Sequence, residues 1–70
     1  MKYADTLRAR VAAIAEERSA LKAEADNLVV DETRSIVEVD ARASEIIARN
    51  DELKAEADAA EKRAAELDAI

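Results

Sequence analysis

From Ile36 to Leu67 a stripe of residues recurs at alternating spacings of three and four: Ile36, Val39, Ala43, Ile46, Asn50, Leu53, Ala57, Ala60, Ala64 and Leu67. Sustained over more than four heptads, that spacing puts every member on one side of an α-helix and defines a coiled-coil seam. Four of its ten positions are alanine, one is asparagine and only five are bulky aliphatics. Burial of so thin a stripe contributes little to a lone pair of helices, so the helix is expected to seek partners.

A second, shorter stripe precedes it. Leu7, Ile14, Leu21 and Leu28 recur every seven residues, and Ala4, Val11, Arg18 and Ala25 fill the complementary position. The run Ala12-Ala13-Ile14-Ala15 adds high intrinsic helix propensity. Asp5 near the helix start suits the dipole and pairs with Arg8 one turn later. The fold class is therefore all-α in one module, residues 1–70, with a helix over about 3–27, a break over about 28–33 and a helix over about 32–70.

Two arrangements satisfy this pattern. Between Asp26 and Ser35 the residues favour helix less, with Asn27, Val29-Val30 and Asp31-Glu32-Thr33, and Asn27 tolerates the left-handed conformation that often ends a helix. That reading gives an antiparallel coiled-coil hairpin that self-associates. The alternative is one continuous helix, since the eleven residues from Ala25 to Ile36 let an unbroken rod pass from one heptad frame to the next.

For the hairpin two registers are open. The preferred one sets Leu28 opposite Ile36, Ala25 opposite Val39, Val11 opposite Leu53 and Leu7 opposite Ala57, with a polar apex around Asp31 to Thr33. The other sets Leu21 opposite Ile36, Val11 opposite Ile46 and Leu7 opposite Asn50, with the turn at Leu28 and Val29. Both leave roughly Ala60 to Ile70 without an internal partner. On the outside, Glu38 with Arg42, Glu45 with Arg49 and Asp58 with Lys62 place an acid four residues before a base, and Ser35 with Glu38 has the spacing of a capping box.

Composition excludes much chemistry. Gly, Pro, Cys, His, Phe and Trp are absent and 40% of residues are charged, as in long helices and coiled coils. No disulfide, thiolate or zinc site can be built, and there is no Ser with a plausible base and no glycine-rich phosphate loop. Adjacent acids such as Glu16-Glu17, Asp31-Glu32 and Asp51-Glu52 point about 100° apart on a helix and cannot converge on one atom. The chain is expected to be no enzyme, with no cofactor and no metal.

The net charge of −6 is graded. Residues 1–27 carry five acids and five bases, residues 28–50 five and three, and residues 51–70 seven and three. Such a balance argues against nucleic acid and anionic membrane surfaces as partners. No apolar run approaches the roughly 18 residues of a membrane span, and Met1-Lys2-Tyr3-Ala4-Asp5 leads into charged helix. A soluble intracellular protein beginning at its own Met is expected, and Ile70, one residue short of the next seam position, reads as a cut through a longer chain.

The candidate functional residues form a self-association seam: Leu7, Val11, Ile14, Leu21, Ile36, Val39, Ile46, Asn50, Leu53 and Leu67. Asn50 either specifies register and oligomer number, as buried polar seam residues do, or sits wet at a rim. Arg18 either snorkels or forms an inter-chain pair with an acid such as Glu45 or Asp51. Tyr3, the one aromatic, packs beside Leu7, frays with the terminus or serves as a recognition anchor.

The run Leu7-Arg8-Ala9-Arg10-Val11-Ala12-Ala13-Ile14, the Asp31-Glu32-Thr33 link and the run Val39-Asp40-Ala41-Arg42-Ala43-Ser44-Glu45-Ile46 together resemble the N-terminal scaffolding, or delta, segment of tailed-bacteriophage major capsid proteins. Arg42 and Val30 depart from that pattern, which often has Leu at the first and Ser or Thr at the second. The resemblance implies a fused scaffold preceding a shell domain. It would gather subunits inside the procapsid, in the cytoplasm of a bacterial host, and be removed by a phage maturation protease. Its partners would be other copies of itself. The alternative is an acidic coiled-coil adaptor or regulatory module that binds a separate protein.

Overall fold

In the computed structural model, which describes residues 2–70, the chain is a helical hairpin measuring 58 × 16 × 14 Å. Helix α1 spans Tyr3–Asp26 and helix α2 spans Ile36–Asp68, and they pack against each other along their lengths. The break expected between the two stripes is present and the continuous rod is not adopted.

Local chemistry explains where the helices stop. Asn27 follows α1 without entering the left-handed region, at φ −102° and ψ 5°. Instead its side-chain amide donates to the Ala23 carbonyl at 2.8 Å, and its backbone N–H bonds to Ala23 and Glu24, so carbonyls of the last turn are satisfied. Past Leu28 the Asp31 carboxylate accepts from the Thr33 backbone N–H at 2.8 Å, the Thr33 hydroxyl at 2.7 Å and the Arg34 N–H at 3.1 Å. This side-chain-built turn competes with helix and delays the start of α2. The second helix begins at Ile36 and not near residue 32, because the Ser35 hydroxyl accepts the Glu38 N–H at 3.2 Å and acts as N-cap.

The turn falls where the polar apex was expected, but the register is neither of the two anticipated. Ile14 and Leu53, both fully buried, pack with Ala57 and Leu21, and Arg18 bonds to Asn50. Counted outward from the Arg18–Asn50 contact, antiparallel heptads put Leu21 level with Ile46, Val11 with Ala57, Leu7 with Ala60 and Ala4 with Ala64. The preferred register would have set Arg18 against Ile46 and Asn50 against Ile14, leaving each polar group facing an aliphatic. A shift of half a heptad pairs the polar residues with each other and the aliphatics with each other.

The shift also corrects the expected overhang of α2. Ala60 and Ala64 are buried at 7% and 3% exposure, and Arg8 of α1 reaches Asp68 near the end of α2. Small side chains at Ala57, Ala60 and Ala64 fill the α2 side of the seam toward the open end, where α1 supplies the larger Val11 and Leu7. By contrast Ile36, once expected against Leu28, is 71% exposed beyond the last seam layer.

Candidate interaction surface

Most of the seam residues are used inside the chain. Ile14, Ile46 and Leu53 are buried, and Leu7, Val11, Leu21, Val39, Asn50 and Leu67 are half-buried. Only Ile36 of that set stands in solvent. The single polar layer is built from the two residues that interrupt the stripes: the Arg18 Nε donates to the Asn50 Oδ1 at 2.9 Å. Arg18 thus finds its partner across the hairpin in an amide, not in Glu45 or Asp51. Its long stem covers the neighbouring layers while the amide occupies its donor.

The two flanks of the seam differ. On one flank, immediately before each seam position, three arginine–glutamate pairs cross between the helices at successive heptads. Arg10 holds Glu56 through both carboxylate oxygens, at 3.1 and 2.8 Å; Arg49 Nε meets Glu17 at 2.8 Å; Arg42 forks onto Glu24, with Nη2 to Oε1 at 2.7 Å. All six side chains stay roughly half-exposed, so each pair is screened and modest on its own. The forks nevertheless have electrostatic effect: the Arg42 hydrogen bonds hold the Glu24 carboxyl below its usual value, and Arg10 does the same to Glu56. The expected i, i+4 pairs from Glu38 to Arg42 and Glu45 to Arg49 do not form. Both arginines turn to α1 instead, and each keeps an acid three residues ahead, Glu45 and Glu52, as a second contact.

The order of charges along this ladder fixes alignment. In a hairpin slipped by one heptad in one direction, Arg10 meets Arg49; slipped in the other, Arg10 meets Arg63 and Glu17 meets Glu56. Either slip also separates Arg18 from Asn50. The observed register is the one in which every rung is opposite in sign.

The other flank is open. Among the described residues its one cross-helix ion pair is Arg8 with Asp68, at the open end of the hairpin. Nearer the loop it forms a groove of about 550 Å³ lined by Ala15, Ser19, Lys22 and Ala25 on α1 and by Ile46 and Ile47 on α2, with the Arg18–Asn50 layer as its floor. Ile47, at its lip, is 62% exposed. At the hairpin tip Val29, Val30, Ile36 and Val37 add further exposed aliphatic surface, at 54–79%. Tyr3 lies apart from both, 63% exposed at the start of α1.

Sequence reasoning named neither Ile47 nor the tip valines as functional candidates, since none but Ile36 belongs to a seam position. The signal was available in one place: an isoleucine immediately following the seam position Ile46, on a face otherwise polar. Among the described residues no group of acids converges as a metal site would require, and no helix is long and apolar enough to cross a membrane. Comparison with protein-family models, with curated proteins and with solved structures finds no match to this chain. What the fold and the surface define is a class, an acidic helical hairpin with apolar surface left outside its own seam.

Proposed function

We propose that this hairpin is an assembly module that drives reversible self-association, and that it serves as the scaffolding segment of a tailed-phage major capsid protein. The observation that carries the reading is the aliphatic surface the hairpin does not cover: Val29, Val30, Ile36 and Val37 at the tip and Ile47 on the open flank. Four exposed aliphatics gathered at one end of a small, highly charged molecule, with a fifth beside a groove, favour an interaction site. The resemblance of the Leu7–Ile14 and Val39–Ile46 runs to the delta segment supports the particular identity.

Small apolar patches give weak contacts, which let misplaced subunits leave. Many copies tethered to one growing shell raise the effective concentration and compensate for that weakness. The acidic final third, seven acids to three bases, repels DNA, in keeping with proteolytic removal before a head is filled. Sedimentation equilibrium over a concentration series tests the association: mass is expected to rise with concentration, and a chain that stays monomeric at millimolar concentration overturns the proposal. The adaptor reading is favoured by a different observation, that Ile14 and Leu53 are fully covered within one chain, so a lone hairpin is a sound folding unit. An adaptor keeps one fixed mass across the same series.

A further inference from the structure

On the open flank of α2, Asp40, Ile47 and Lys54 stand one heptad apart and share a face of the helix. Ile47 is exposed, and among the described residues neither the Asp40 nor the Lys54 side chain makes a hydrogen bond or an ion pair. All three are thus free, whereas most charges one flank away are engaged across the hairpin. The spacing has a consequence for symmetry. When a helix packs antiparallel against its own copy with Ile47 at the centre, Asp40 of one copy falls level with Lys54 of the other, because both lie seven residues from the centre. The contact is then self-complementary: one apolar pair flanked by two opposite-charge pairs, as a two-fold interface requires.

We propose, resting on the self-association reading above, that two hairpins join through this flank about a two-fold axis passing beside Ile47. Each Asp40 then faces the partner's Lys54, and each Ile47 seats at the mouth of the facing groove. The groove suits that occupant. Ala15, Ser19 and Ala25 are small enough to admit an isoleucine side chain, and Lys22 on its wall is already held by Asp26. A partner helix in the opposite orientation, parallel to α2, would set Asp40 against Asp40 and Lys54 against Lys54, so the charge pattern selects the antiparallel pairing.

Two measurements on the whole chain test this. Ile47→Cys is expected to form a disulfide-linked dimer on mild oxidation, well ahead of Ala20→Cys, which lies on the outer face of α1. Lys54→Asp, which sets like charges against each other at both ends of the contact, is expected to weaken association by roughly tenfold or more, and the exchange Asp40→Lys with Lys54→Asp to restore it. All these positions are exposed and off the seam, and unchanged helical circular dichroism checks that each variant stays folded. Wild-type association combined with equal cross-linking at both cysteines, or with no rescue in the exchanged variant, overturns this interface while leaving self-association standing. A wild-type chain that does not associate overturns both.

Discussion

Arg18 and Asn50, 32 residues apart in the chain, meet across the hairpin with the guanidinium Nε donating to the amide Oδ1 at 2.9 Å. They are the two polar interruptions of otherwise apolar stripes, and their meeting sets the level of every other layer. A polar pair of this kind costs stability relative to aliphatics and returns specificity, because any other alignment leaves both groups facing hydrocarbon.

Replacing both by leucine is therefore expected to raise the melting temperature while admitting slipped or mixed registers. Asn50→Leu alone removes the acceptor from Arg18 and is expected to gain less than the double variant. Thermal melts of the single and double variants, with the coupling taken from the full cycle, measure this.

The Arg–Glu ladder makes a separate prediction. Arg42→Glu places an acid against Glu24 and is expected to lower the urea midpoint; adding Glu24→Arg restores the rung with its sign reversed and is expected to recover most of the loss. If the double variant is no better than the single, the rung does not contribute to alignment.

The same ladder sets an acid limit. A carboxyl whose folded pKa lies below its unfolded value stabilises the fold fully above the unfolded value, and that contribution disappears as pH falls through the folded one. Glu24 and Glu56 are both held below the ordinary 4.5 by their arginines. Stability is expected to fall as pH drops below about 4.5, and less steeply in a Glu24→Gln/Glu56→Gln variant, which starts lower at neutral pH. Urea midpoints across that range give the comparison.

The core is narrow enough for one truncation to matter. Leu53 is fully buried against Ile14 and Ala57, and Leu53→Ala is expected to cost about 2–5 kcal/mol. For a chain of this size that is comparable to the whole stability, so the variant should show largely lost helical signal at 25 °C.

Ser35→Ala removes the hydroxyl that accepts the Glu38 N–H and is expected to cost about 1 kcal/mol. Faster amide exchange should be confined to the first turn of α2, where the Glu38 N–H loses its acceptor.

Much of this architecture was legible in the sequence because the heptad stripes are long and their members few. The existence of both helices and the buried character of Ile14, Ile46 and Leu53 follow from spacing, and the polarity of Asp31 to Thr33 locates the apex, while the start of α2 at Ile36 is set by the Asp31 turn and the Ser35 cap. The register is not legible from Arg18 or Asn50 taken singly, since solvent or a distant acid can satisfy each; the informative fact is that two polar residues interrupt two stripes. The ladder is hidden for a related reason: helical i, i+4 spacing offers Arg42 and Arg49 nearby acids, but only the folded hairpin brings Glu24 and Glu17 within reach. Ile47 went unnamed because a seam-based reading is blind to the residue beside the seam.

The seam is closed by one chain and not shared between two extended ones, which would make the same contacts in a longer dimer. Spin labels at the exposed positions Ala20 and Ala48, diluted into an excess of unlabelled chain, report the distance within a single molecule. With helix axes about 8–10 Å apart, the labels of a closed hairpin should give a pulsed dipolar distance below roughly 25 Å. A distance near 42 Å, the separation along an unbroken helix at about 1.5 Å per residue, would contradict it.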